Sequence, residues 1–159
     1  MVNLLNKLIH QLPPYLFEKF LKGISLFGTS FFYLVILSIL IRIAPQLSIR
    51  AFISFFFIEF FSGLIKISYL KHRPIQSKRE TLLDKYEAGS FPSIHAARIT
   101  AMSIFIWQLI PQDLFSILIL STIIFSVSYS RVHHKRHYWT DVIGGIILGA
   151  IVMTIGLTI

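Results

Sequence analysis

Ser130, Arg131, His133, His134, Lys135, Arg136, His137 and Asp141 fall within twelve residues, between two long apolar runs. Polar and basic groups this dense beside a membrane segment are costly unless they serve a site. His137 and Asp141 are four apart, so on a helix they share a face and the carboxylate can hold one imidazole nitrogen. The other nitrogen is then oriented as a nucleophile or general base requires. Arg131 adds a planar, always-charged fork suited to phosphate oxygens. Two other readings of the segment stand beside this one. It could be a juxtamembrane basic loop touching anionic headgroups, or a metal site built from His133, His134, His137 and Asp141. The surrounding arginines and lysines oppose a cation there.

The elements that must position these groups are apolar. Of 159 residues, 55% are hydrophobic and only 14% charged, which points to an all-α integral membrane bundle rather than a water-soluble core. The length suits one domain. A net charge of +8 in so apolar a chain concentrates basic residues outside the spans and favours anionic partners such as phosphate groups and lipid headgroups. Nucleic acid is excluded as a partner because no soluble basic module remains once the spans are removed. No obligatory protein partner is evident. Cysteine is absent, so neither a thiolate metal site nor a cysteine nucleophile exists.

Residues 1–22 read as an amphipathic interfacial segment, with Leu4, Leu5, Leu8, Ile9 and Leu12 on one face and a stop at Pro13-Pro14. Residues 23–159 then form the membrane-embedded domain. About five transmembrane helices are expected: Ile24 to Ile41, Ala51 to Leu70, a third opened by Ser93 and running to Ile110, Leu114 to Tyr129, and Val142 to Ile159. Glu59, Ser62, Gly63 and Lys66 share one face of the second span and should point into the bundle, with Glu59 either a bundle hydrogen-bond partner or a support for Lys66. A lysine snorkelling to the interface is the bland alternative for Lys66. Ser93 is a natural N-cap, and the helix start behind it offers free N–H groups to an anion. Gly145 and Gly149 are spaced for close helix packing. With five spans, the polar loop 71–92, the Ser93 helix start, the 130–141 segment and the N-terminal helix share one membrane face.

Three spaced motifs at span ends then stand in order. Lys66 is followed after six residues by Arg73-Pro74. Pro92-Ser93-Ile94-His95 comes next, and Ser130-Arg131, His137 and Asp141 complete the set. Together they resemble the type-2 phosphatidic acid phosphatase superfamily, membrane lipid phosphatases related in their active site to vanadium haloperoxidases. The resemblance covers residues 66–141. It implies that His137 is the nucleophile forming a phosphohistidine, that Asp141 orients it, and that His95 protonates the leaving group and later activates water. It further implies a phosphate cradle of Lys66, Arg73, Ser93, the N–H of Ile94, and Arg131, with no metal or other cofactor. Ile94 departs from the pattern, which has glycine there; the N–H survives, but the branched side chain narrows the approach and is expected to shift substrate range.

The resemblance thus leads to an integral membrane hydrolase acting on a phosphomonoester or diphosphate of a lipid, with phosphatidic acid, phosphatidylglycerol phosphate and a polyprenyl diphosphate as candidates. Transfer of phosphate to another acceptor, or a non-catalytic lipid-binding or transport protein of the same fold, are the alternatives. The expected location is the cell membrane. Loop charge puts the active site on the cytoplasmic side, whereas the resemblance to bacterial relatives suggests the extracytoplasmic side, and the sequence leaves the face open.

Overall fold

The computed structural model describes residues 14–75 and 81–159. Over these residues the chain folds into helices α1 (Pro14–Ser25), α2 (Ser30–Leu40), α3 (Pro45–Ser68), α4 (Leu82–Ala88), α5 (Ile94–Trp107), α6 (Leu114–His133) and α7 (Trp139–Thr158). A 3-10 turn, Leu26–Gly28, joins α1 to α2. The segment Tyr15–Gly28 is bent by 56° from Ser30–Leu40.

Local chemistry explains the boundaries. Thr29 caps α2 by accepting from the Phe32 N–H at 3.4 Å, and Asp113 caps α6 by accepting from the Ser116 N–H at 2.8 Å. Pro45 opens α3 at a position where no amide hydrogen is needed. At the other end of α6 the chain reverses through a Schellman turn. Lys135 adopts φ 54°, while the Arg136 and Lys135 N–H groups return to the carbonyls of Arg131 and Val132.

Among the described residues, three helices are long and apolar enough to cross a membrane: α3, α6 and α7, at 24, 20 and 20 residues. The bent pair Tyr15–Gly28 and Ser30–Leu40 makes up to four if counted as one span. The expected third span is instead the 14-residue α5, about 21 Å long against a hydrocarbon thickness of about 30 Å. Its apolar composition has another cause. α5 sits at the centre of the bundle, where Ala96, Ala97, Ile99, Ala101, Met102 and Phe105 are all buried against protein. The second span also begins earlier than its apolar run, at Pro45 rather than Ala51.

The packing is that of a helix pair brought close by small residues. On α7, Gly145 and Gly149 face α5 so tightly that an added Cβ would lie 2.2 Å from the carbonyl oxygens of Ser93 and Ala97 respectively. The opposite stripe of α7, Ile143, Ile147, Ile151 and Ile155, is more than half exposed, as a lipid-facing ridge should be. The core itself gathers Tyr33, Phe55, Ile58, Ala97, Met102, Phe105 and Met153, with the Tyr33 and Phe55 rings stacked at 4.1 Å.

Residues 1–13 of the expected interfacial segment lie outside the described residues. From Pro14 onward the segment is α1, which exposes Tyr15, Leu16 and Phe20 and lies against the end of α6. There Glu18 Oε1 is 2.7 Å from His133 Nε2, and Glu18 Oε2 is 3.3 Å from His134 Nε2.

Candidate active site

The close α5–α7 contact has a direct consequence for the polar end of the bundle. The Ser93 N–H donates to the Asp141 carbonyl at 2.8 Å, tying the start of α5 to the start of α7. Behind this link the first N–H groups of α5, at Ile94, His95 and Ala96, have no acceptor within their own helix, as at any helix start.

A cavity of about 380 Å³ opens at this point, lined by Lys66, Arg73, Ile75, Tyr86, Glu87, Ile94, His95, Arg131, Arg136 and His137. Six of the residues expected at the site therefore share one cavity: Lys66, Arg73, Ile94, His95, Arg131 and His137. Ser93 lies immediately behind, fully buried. Asp141 is also fully buried and stands behind His137 rather than in the cavity wall.

Each cation arrives from a different element. Lys66, in the last turn of α3, is 2% exposed, with Nζ 4.7 Å from the centre of the Tyr86 ring. This is not the snorkelling lysine of the alternative reading, since its side chain runs into the protein. Arg73 comes from the loop after α3 and reaches the Gly89 carbonyl at 3.5 Å. Arg131, near the end of α6, donates from Nη1 to Ser25 Oγ at 3.0 Å.

Several buried polar atoms around the cavity have no hydrogen-bond partner among the described residues: Arg73 Nε, Arg131 Nε, His95 Nδ1 and Ser93 Oγ. Such atoms are expensive to leave unsatisfied, so their convergence marks a place prepared for a polar ligand. Ser93 occupies the N-cap position as expected, but its side chain makes no capping hydrogen bond. The hydroxyl is instead one of these unpaired groups. His95 is backed by Gly28, where an added Cβ would fall 2.8 Å from the His95 Cβ.

The His137 ring corrects one expectation. Its Nδ1 is 2.8 Å from the Ser90 carbonyl oxygen and 3.8 Å from Asp141 Oδ2. A carbonyl only accepts, so Nδ1 carries the proton and Nε2 keeps the lone pair. The direct hydrogen-bond partner of the ring is thus a backbone carbonyl, not Asp141. Asp141 is itself held by Lys71 Nζ at 2.5 Å, by the Tyr138 N–H at 2.8 Å and by the Ser90 hydroxyl. Burial, then the charges of Arg73, Arg131 and Lys66, push the His137 pKa below its ordinary value, although Asp141 opposes them.

The hydrogen-bond partner of Glu59 is Arg98 rather than Lys66. The carboxylate forms a two-pronged pair with Arg98 of α5, Nε to Oε1 at 2.6 Å and Nη2 to Oε2 at 2.9 Å. Arg98 Nη1 also reaches the Gly28 carbonyl at 3.3 Å. The sequence gives no individual role to Lys71, Ser90, Tyr86 or Arg136. Lys71 lies in the polar loop 71–92 and Arg136 in the basic 130–141 segment, and the part Ser90 plays through its carbonyl carries no side-chain signal. Among the described residues no group of three or more metal-ligating side chains is arranged around a common point. His133 and His134 turn instead toward Glu18.

A multi-pass helical bundle with a basic, histidine-bearing cavity at the helix ends defines the class of protein. The family model of the PAP2 superfamily matches residues 47–159, and the chain belongs to that superfamily. Two crystal structures share its fold. Aquifex aeolicus LpxE superposes with a TM-score of 0.77 at 19% identity, covering 98% of this chain and 93% of its own. A transmembrane PAP2-type phosphatidylglycerolphosphate phosphatase from Bacillus subtilis gives 0.70 at 22% identity, covering 91% and 76%. A search of curated sequences returns no match. The family match gives the superfamily, and the two structures give the fold.

Proposed function

We propose that the protein hydrolyses a phosphomonoester or diphosphate of a membrane lipid through a phosphohistidine at His137. One observation carries this reading. A histidine with a fixed tautomer and a second histidine with an unpaired nitrogen line the same cavity as Lys66, Arg73, Arg131 and Arg136.

The chemistry follows from the positions. His137 Nε2 bonds to phosphorus as the P–O bond to the leaving group breaks, and His95 gives that oxygen its proton. Water then attacks the N–P bond, losing its proton to His95 and releasing inorganic phosphate. The positive charge that grows on His137 is opposed by Asp141 and by the Ser90 carbonyl. Charge on the equatorial oxygens is met by the cations and by the N–H groups that open α5. The cavity lies where spans end, so a lipid tail can stay in the bilayer while its headgroup enters. In the same reading residues 1–22 lie at the interface and the cell membrane is the location.

Hydrolysis is favoured over a purely binding role because binding needs neither a proton-donating histidine nor a tautomer-fixed one. The test is to mix enzyme with a radiolabelled lipid phosphate and quench within milliseconds. An acid-labile, base-stable phosphoprotein that is absent in His137→Ala is expected. Lipid turnover without any such intermediate would overturn the histidine route, and no turnover of any lipid phosphate would overturn hydrolysis itself.

A further inference from the structure

A second cavity, of about 370 Å³, adjoins the first and shares Ile75, Arg131 and Arg136 with it. Its remaining walls are Lys22, Ser25 and His134. We infer that this cavity is a second phosphate-binding subsite, so that the preferred substrate carries another phosphate group beyond the one removed. The inference deepens the proposed phosphatase reading and rests on it.

The electrostatics point one way. Lys22, Arg131 and Arg136 put three cationic side chains around the cavity, and among the described residues no carboxylate lines it. The first cavity, by contrast, includes Glu87 in its wall. Glu18 lies beside the group around the second cavity but is engaged with His133 and His134, and cations gathered this closely raise one another's energy, which an anion between them relieves. The Arg131 guanidinium belongs to both cavities. One arm, Nη1, is engaged with Ser25 on the side of the second cavity, while the buried Nε has no partner among the described residues. A planar fork placed this way can present separate N–H donors to two phosphates.

The subsite adds α1 to the elements that carry the phosphate-site motifs. Lys22 sits in the last turn of α1, and Ser25 ends that helix. The α1 helix is held against α6 by Glu18, which reaches His133 and His134, and by Ser25 on Arg131. His134 is fixed by its Nδ1–H, which donates to the Ser130 carbonyl at 2.7 Å. The helix that covers the end of the bundle thereby supplies a cation beside the site.

Two kinds of lipid present a second phosphate. In a diphosphate it is bonded directly to the scissile group. In phosphatidylglycerol phosphate it is a diester one glycerol away. For the diphosphate, His137 Nε2 bonds to the terminal phosphorus as the bridging P–O bond breaks. The departing lipid monophosphate takes its proton from His95 and stays in the second cavity, and water later cleaves the N–P bond. The phosphodiester of phosphatidylglycerol phosphate would occupy the same cavity and leave unchanged. Phosphatidic acid has one phosphate and leaves the cavity empty.

The experiment compares kcat/KM for these three lipids in wild type, Lys22→Gln and Lys22→Glu, all purified in the same detergent and checked for folding by gel filtration. Selectivity is read as the ratio of each two-phosphate lipid to phosphatidic acid. Loss of one charged contact is worth about tenfold, so Lys22→Gln should lower the ratio by about that factor and Lys22→Glu by more. A fall confined to the diphosphate, or to phosphatidylglycerol phosphate, identifies which arrangement the cavity fits. Unchanged ratios in both variants would overturn the subsite, even with all three lipids hydrolysed. Failure of all three lipids to release phosphate in the wild type would overturn the phosphatase reading on which it rests.

Discussion

The Ser90 carbonyl stands 2.8 Å from His137 Nδ1, a full ångström nearer than the Asp141 carboxylate. The backbone therefore fixes the tautomer, and the buried carboxylate acts on the ring's charge. When a carboxylate is the sole anchor of a catalytic imidazole, its amide replacement inverts the tautomer and costs ~10⁴ in kcat. Here Asp141→Asn should cost only about 10², the scale of one lost electrostatic contact. Steady-state kinetics on a lipid phosphate measure this, and a loss as complete as that of His137→Ala would mean that Asp141 sets the tautomer after all.

The depressed pKa of His137 predicts a pH response with a definite sign. Burial and three neighbouring cations disfavour its protonated form, so the ring stays neutral below its ordinary value of about 6.5. The nucleophile thus stays competent to lower pH than a free imidazole would. Removing one of the cations relieves the repulsion, and Arg73→Gln should move the midpoint upward. An NMR titration of the ¹⁵N-labelled His137 ring reads both effects. A wild-type midpoint at or above 6.5, or a downward move in the variant, would contradict this electrostatic picture.

Glu59 and Arg98 form an ion pair in the interior of the bundle, with side chains 29% and 10% exposed. Breaking such a pair strands one charge, so Glu59→Gln and Arg98→Gln should each lower stability by about 2–3 kcal/mol. The combined Glu59→Gln and Arg98→Gln variant should lose less than the sum of the two. Thermal unfolding in detergent completes the cycle, and strict additivity would show that the pair is not coupled.

Glycine at the α5–α7 contact is a requirement of space. A methyl group at position 145 would sit 2.2 Å from the Ser93 carbonyl oxygen, a backbone atom that cannot yield cheaply. Gly145→Ala should therefore cost about 1–3 kcal/mol and displace the start of α5, lowering activity as well. Gly23, on α1, has nothing within 4 Å of the same point, and Gly23→Ala should be neutral or stabilising by up to about 1 kcal/mol. Equal melting temperatures for the two variants would contradict the packing described.

Much of this site was legible before any coordinates. Lys66, Arg73, Ile94, His95, Arg131 and His137 are the positions that the family resemblance implies, and the structure gathers them around one cavity. The spacing of Gly145 and Gly149 likewise foretold the α5–α7 contact. Other parts were hidden for physical reasons. Ser90 acts through a carbonyl, which every residue possesses. Lys71 and Arg136 look like ordinary loop charges until the loop's path is known. Glu59 was seen to face inward, but its partner Arg98 comes from another helix and no spacing within α3 could name it. The apolar composition of α5 does not by itself fix its length, because burial in protein and burial in lipid select the same side chains.

The most direct test of the central claim is phosphate release by the purified, detergent-solubilised protein from phosphatidic acid, phosphatidylglycerol phosphate and a polyprenyl diphosphate, with EDTA present. His137→Ala serves as the control. The account predicts release that persists in EDTA and falls by more than about 10³-fold in the folded variant. A folded His137→Ala protein that still releases phosphate near the wild-type rate would contradict it.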